Sequence, residues 1–272
     1  MSPHPFDEAI RLEPAGAGVL RGRTTPDYAN MVGPFGGATA AALLNAAWID
    51  PARLGEPVAL TVNFAAPLAD GAFELHARAV RTNRSTQHWS IELAQDGQVA
   101  ASASAVFALR RSTWSSLEAT RPQAPPADSI ARSRTAGRPA WTERYDMRFV
   151  RGEPRLGAPA QAPGAPADSA STLWLRDEPP RPLDFLSLAA LCDAFYPRLF
   201  VRRPVLAPIG TVTLTVHFHA DAATLAAVGS APVLGTAHAQ QFRDGYFDQS
   251  AQLWSAEGAL LAASHQMVYF RQ

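Results

Sequence analysis

The residue most able to do chemistry is Asp193. It ends the stretch Asp184-Phe-Leu-Ser-Leu-Ala-Ala-Leu-Cys-Asp193, which is otherwise almost wholly apolar. If this stretch is helical, Leu186, Ala189, Ala190 and Asp193 share one face by the three/four spacing, and the carboxylate is carried toward the core. A carboxylate in such a place is costly unless it is paired or used. The competing reading is an Asp paired with an Arg, or turned outward by a kink before Pro197. A second candidate is the pair Gly36–Gly37. It is either a tight entry to a helix or a source of exposed N–H groups that, with the helix dipole, polarise a carbonyl.

Other reactive groups are weaker. Cys192 is the single cysteine. It lies about 100° around a helix from Asp193 and has no Cys/His/Asn signature, so a small buried residue is the better account than a nucleophile. His217 and His219 fall on one face of a strand with no Cys, His or Glu partner nearby, and no metal is expected. Gly16-Ala-Gly18 misses the dinucleotide-binding spacing, and no Gly-x-Ser-x-Gly elbow is present.

The elements that must position these groups can be read from periodicity. Ile10–Glu13 and Gly18–Arg23, separated by Pro14 and Gly16, suggest a hairpin. Ala38–Ile49, opened by Gly36–Gly37 and stopped by Pro51, reads as a helix apolar on nearly every face and therefore buried. Strands are expected at 58–64, 72–81, 88–95 and 99–109, with Asp96–Gly97 as a hairpin turn between the last two. Residues 118–139 lose periodicity and read as a linker. The pattern divides the chain into an N-terminal unit (1–117), the linker (118–139) and a C-terminal unit (140–272). In the second unit, strands at 144–150 and 172–176 flank a Pro/Ala/Ser stretch (158–171) that reads as a long mobile loop. Asp184 can cap a helix running to about Pro197. Further strands are expected at 210–219, 233–242, 246–255 and 259–271, with Ala256-Glu-Gly258 marking the last hairpin.

Composition narrows the function classes. The 272 residues suffice for two domains, 47% are apolar, and 18% are charged. That is the balance of a globular chain. Net charge is zero, every basic residue is Arg, and those Arg are scattered, so nucleic acid is not an expected partner. No apolar run reaches membrane-spanning length, and no signal peptide is apparent at the N-terminus. With one thiol, a cytoplasmic setting is expected.

The two units repeat each other. Ala41-Ala-Leu-Leu-Asn-Ala-Ala-Trp48 matches Ala189-Ala-Leu-Cys-Asp-Ala-Phe-Tyr196. Leu60-Thr-Val-Asn-Phe64 matches Leu214-Thr-Val-His-Phe218, and Gly97-Gln-Val-Ala-Ala101 matches Gly258-Ala-Leu-Leu-Ala262. Three matches in the same order argue for an internal duplication. Each unit is one buried helix followed by an antiparallel sheet. A single such unit leaves a strand edge open, and pairing two would cover it. The expected fold is α+β, a double hotdog.

The helix entry Phe35-Gly-Gly37, the strand Val212–His219 and the closing Gly258-Ala-Leu-Leu-Ala-Ala-Ser-His-Gln266 resemble the acyl-CoA thioesterase II family, two fused hotdog units of the TesB-like type. The resemblance implies hydrolysis of acyl-CoA thioesters by an activated water, with no cofactor. It implies a catalytic Asp, Thr and Gln, which fall by motif position on Asp193, Thr211 and Gln266. Taken alone, Thr211 is only a good strand former and Gln266 only a polar mid-strand residue. The first-unit counterparts Asn45 and Ala105 lack this chemistry, so one site per chain is expected. The N–H groups of Gly36 and Gly37 would meet the substrate carbonyl, and Arg202 or Arg203 the coenzyme phosphates. Two rivals stay open: a non-catalytic acyl-CoA-binding hotdog, and a hotdog hydratase or dehydratase. The latter lacks its His-x-x-x-Gly signature here, because none of the seven His has Gly four residues on. The resemblance also implies that such fused chains can pair, so monomer and homo-oligomer both stay open.

Overall fold

The computed structural model describes residues 3–16, 18–154, 168–203 and 205–271. Its first unit contains α1 (Pro5–Ala9), β1 (Glu13–Gly16), β2 (Val19–Arg23), α2 (Gly36–Trp48), β3 (Glu56–Phe64), β4 (Ala72–Thr82), β5 (Thr86–Gln95) and β6 (Gln98–Ala108). The second contains β7 (Tyr145–Arg151), β8 (Ser171–Asp177), α3 (Phe185–Leu191), α4 (Arg198–Arg202), β9 (Ile209–Phe218), α5 (Ala222–Val228), β10 (Val233–His238), β11 (Phe242–Arg243), β12 (Tyr246–Trp254) and β13 (Leu260–Phe270).

The strands form one antiparallel sheet in the order β1-β2-β4-β5-β6-β3-β9-β13-β12-β10-β8-β7, with β11 paired to β12. The order in the second unit mirrors that of the first. The units join edge to edge through β3 and β9, where Thr61 faces Thr215. These two residues hold the same place in the repeat, so a pseudo-dyad passes between them. Their hydroxyl oxygens lie 3.2 Å apart. The open edge of each unit is thus closed by the other, which is the double hotdog.

Helix α2 is buried from Gly37 to Ala47. Ala and Leu at consecutive positions let it pack on every side, and α3 lies against it. Asp184 caps α3, its carboxylate accepting from the Ser187 N–H at 2.8 Å. The expected helix to Pro197 is corrected: α3 ends at Leu191. The chain then tightens, with Asp193 N–H donating to Ala190 and Ala194 N–H to Leu191. Pro197 disfavours helical backbone before it, and a separate turn of helix, α4, starts at Arg198.

Three other expectations shift. The first strand begins at Glu13, not Ile10, and Pro14 and Gly16 lie within this edge strand rather than between strands. The predicted hairpin over Ile10–Arg23 is preceded by a short helix, α1, that the sequence reading does not include. The strand expected over 233–242 splits into β10 and β11. The stretch 158–171 lies mostly outside the described residues.

One irregularity in the sheet reorients a side chain. Between β9 and β13 the register slips: Thr213 faces Met267, but Thr211 faces Val268, and Val212 is the extra residue of a bulge. Strict alternation would put Thr211 on the outer face with Thr213 and Thr215. The bulge turns it inward, on the side of Val268 and Gln266. The first unit has the matching bulge at Val58, between Pro57 and Ala59.

Candidate functional site

Asp193 stands in the turn that follows α3, not on the helix itself. Ending α3 leaves carbonyls without helical partners. That of Cys192 accepts from Ser264 Oγ at 3.3 Å and from Gln266 Nε2 at 3.5 Å, so β13 side chains cap the helix end. The same Gln266 Nε2 donates to Asp193 Oδ1 at 2.8 Å. Gln266 is only 2% exposed. Thr211 Oγ1, brought inward by the bulge, donates to Gln266 Oε1 at 3.5 Å. The structure therefore joins Asp193, Gln266 and Thr211 in one chain of hydrogen bonds drawn from three elements.

The first unit contributes the fourth side. Helix α2 is capped by Phe35, whose side chain can accept nothing. The Asp193 carboxylate of the other unit sits at this helix start, where the Gly37 amide helps hold its pKa down. Gly36 is equally close: a Cβ there would come within 2.8 Å of Asp193 Oδ2. At Gly37 a Cβ would meet the Ala190 carbonyl at 2.6 Å and the Phe35 ring at 2.4 Å. Glycine at both positions permits the two helices to close on the carboxylate.

Burial pushes the Asp193 carboxyl up to about 7, while the bonds from Gln266 and Gly37 hold it lower than burial alone would. A carboxylate so poised changes protonation near neutrality. Burial drives Cys192 in the opposite functional direction: its thiol, 1% exposed, is pushed far above the range in which it ionises.

These groups open on a cavity of about 530 Å³. Its walls are largely aromatic and apolar: Phe35, Trp141, Phe195, Tyr196, Phe200, Ile209 and Val268. Phe35 and Trp141 stack with centroids 4.4 Å apart, which ties the segment after the linker to the entry of α2. Gly137, Arg138 and Pro139, read from sequence only as linker, also line the cavity, and the Arg138 guanidinium lies 4.7 Å over the Tyr196 ring. Gln249 of β12 is a further lining residue that no spacing in the sequence singled out. It faces Gln266 directly across the sheet.

The first unit carries other groups at the corresponding places. Asn45 lies within α2 and donates to the Ile10 carbonyl at 2.9 Å, and Ala105 is fully buried. Pro57 stands where Thr211 stands in the second unit. Among the described residues no group of three His, Cys, Asp or Glu could hold a metal ion, and His217 and His219 are exposed. No helix of the described residues is long and apolar enough to cross a membrane.

Comparison with known proteins agrees with this geometry. The acyl-CoA thioesterase C-terminal domain family matches residues 117–270, and the acyl-CoA thioesterase N-terminal domain family matches residues 25–108. A hotdog-fold protein of unknown function from Alicyclobacillus acidocaldarius is 45% identical, with a TM-score of 0.93 over 100% of this chain and 99% of that one. Two more distant structures share the fold. The tesB protein of Mycobacterium avium subsp. paratuberculosis is 18% identical, with a TM-score of 0.80 over 100% of both chains. The acyl-CoA thioesterase II TesB2 of Mycobacterium marinum is 20% identical, with a TM-score of 0.72 over 98% of both. No curated protein gives a significant match. The chain belongs to the acyl-CoA thioesterase family, as a TesB-like double hotdog.

Proposed function

We propose that the chain hydrolyses acyl-CoA thioesters to a free acid and coenzyme A, using a water activated by Asp193. The observation that carries this is a carboxylate poised near neutrality, fixed by Gln266 and Gly37, on the wall of an apolar cavity. The acyl chain lies among the aromatic and aliphatic walls. Its thioester carbonyl points toward the start of α2, where the Gly36 amide is a backbone donor. Asp193 and Thr211 hold a water against the carbonyl carbon, and Gln266 fixes both side chains. As the water attacks, Asp193 takes its proton, the C–O bond forms, and the carbonyl electrons move onto oxygen. Collapse of that oxyanion breaks the C–S bond. The proton held by Asp193 leaves with the coenzyme A thiolate as a thiol, and the carboxylate is restored. Arg202 and Arg203, exposed at the end of α4, are candidates for the coenzyme phosphates.

The test is a panel of short, medium, long and aryl acyl-CoA esters, with thiol release followed by a thiol reagent. Turnover by the wild type, and its loss by 100-fold or more in Asp193→Asn, is expected from removal of a positioned base, which is typically worth about 10²–10⁴-fold. Binding without thiol release would favour a carrier. A change in enoyl absorbance without thiol release would favour a hydratase.

A further inference from the structure

Arg198 opens α4 and is fully buried, at 0% exposure. Among the described residues no carboxylate pairs with it, and burial acts on its proton affinity, downward. Its guanidinium is instead held by neutral acceptors. Nη1 donates to Ser171 Oγ at 2.8 Å and to the Ser169 carbonyl at 3.1 Å, and Nη2 donates to the Tyr196 carbonyl. A further donor, Nε, goes to Gln249 Oε1 at 2.8 Å.

That last bond decides how Gln249 is turned. A guanidinium has donors only, so the amide must offer it the oxygen. Nε2, with its two hydrogens, is directed away from Arg198. No described residue accepts from it, although Gln249 is itself only 2% exposed and lines the cavity. Gln249 stands opposite Gln266 in the register of β12 and β13, beside the group that holds Asp193. A buried cation thus lies behind an amide whose donor end is turned from it toward the cavity, one strand away from the glutamine that holds the base.

We propose that Gln249 donates to the thioester carbonyl oxygen and stabilises the oxyanion, and that Arg198 is the positioning residue that fixes its amide. This rests on the hydrolytic reading of the site. It adds a side-chain donor from the second unit to the backbone donors at the start of α2. Two donors, Gly36 from the first unit and Gln249 from the second, then meet one oxygen.

The experiment uses Gln249→Glu in the full chain. The carboxylate keeps a bond to Arg198 and gains a charge partner for it, so thermal stability should not fall. What is lost is the donor facing the cavity. Removing one oxyanion donor typically lowers turnover by about 100-fold or more, so kcat should fall by that much while KM moves by a few-fold. A new carboxylate near Asp193 could also act by raising that group's pKa, and a pH profile separates the two: loss of a donor is not recovered between pH 7 and 9. A ketone analogue, with CH₂ replacing the thioester sulfur, gives a direct readout. Its infrared carbonyl band should shift to lower frequency on binding the wild type, and return toward the free value in Gln249→Glu. Arg198→Lys should lower kcat with little change in KM and broaden the same band. Turnover by Gln249→Glu within threefold of wild type, or a carbonyl band unshifted in the wild type, overturns the inference. The wild-type spectrum decides even where a variant fails to fold. Gln249→Glu fully active beside an inactive Asp193→Asn overturns this inference alone, whereas a wild type that releases no thiol overturns it together with the hydrolytic reading.

Discussion

Replacing Asp193 by Asn should make the protein less active and more stable, and the gain in stability should depend on pH. The carboxyl is carried from 3.8 to about 7, chiefly by burial. A group whose folded pKa is raised contributes stability at low pH, below its unfolded value, and loses that contribution as pH rises through the folded value. At about 1.4 kcal/mol per pH unit, the loss amounts to an upper bound on the order of 4 kcal/mol above pH 7. Asn carries no charge, so Asp193→Asn escapes it. The gain is smaller than the bound, because Gln266 donates to the carboxylate and the Gly37 amide also favours its charge, and the amide of Asn replaces neither fully; an unmet donor forfeits roughly 1 kcal/mol or more. A net gain of about 2–3 kcal/mol at pH 8.5 is expected, shrinking to less than half of that near pH 5. The assay is urea unfolding of both proteins across this range, with thiol release measured on the same preparations. Wild-type activity should rise with pH through about 7 and then level, since the base acts when unprotonated. A variant that is less stable than wild type at pH 8.5, or a gap that widens toward pH 5, would refute the claim that Asp193 is a desolvated carboxylate.

Four further outcomes are expected. Thr211→Val should lower kcat about tenfold or more without loss of the fold, while Thr211→Ser keeps most of it, because only the hydroxyl reaches Gln266; steady-state kinetics decide this. Gly37→Ala should be destabilising by more than about 1 kcal/mol, read as a lower urea midpoint, because its methyl meets the Ala190 carbonyl backbone at 2.6 Å. Gly36→Ala should be milder in stability but costly in rate, since its methyl meets the Asp193 carboxylate itself. Asp177 is 2% exposed, accepts from Ser187 Oγ at 2.5 Å, and has no hydrogen-bond partner for Oδ1 among the described residues; burial pushes it up to about 6. Asp177→Asn should therefore stabilise above pH 6 by at most about 3 kcal/mol, with the difference fading below pH 4, as thermal unfolding across pH would show.

Much of the architecture is legible in the sequence because it depends on local pattern. Ala38–Ile49 is too uniformly apolar to be anything but a buried helix, and Asp96–Gly97 takes the positive-φ turn that its residue types favour. The repeat is legible because corresponding residues pack alike in the two units. Asp193 stands out because a carboxylate in an apolar run is anomalous. What the residues do not reveal depends on long-range pairing. Pro197 is the natural place to end α3, but the helix stops earlier, at the point where Ser264 and Gln266 take the freed Cys192 carbonyl. The inward turn of Thr211 depends on an extra residue that is visible only against its partner strand. The parts played by Arg138 and Gln249 come from chain segments that meet the site only after folding.

The bulge has a consequence beyond the threonine it turns. It recurs in the first unit, where proline replaces threonine and neither the carboxylate nor the glutamine is present. The bend is therefore a demand of curving a strand over a helix, met in both copies whatever chemistry is built on it. The reactive arrangement occupies a corner that the architecture required in any case. Sheet curvature decides which residue number looks inward, so a one-residue insertion or deletion between 209 and 213 would swap Thr211 for a neighbour while leaving both halves folded.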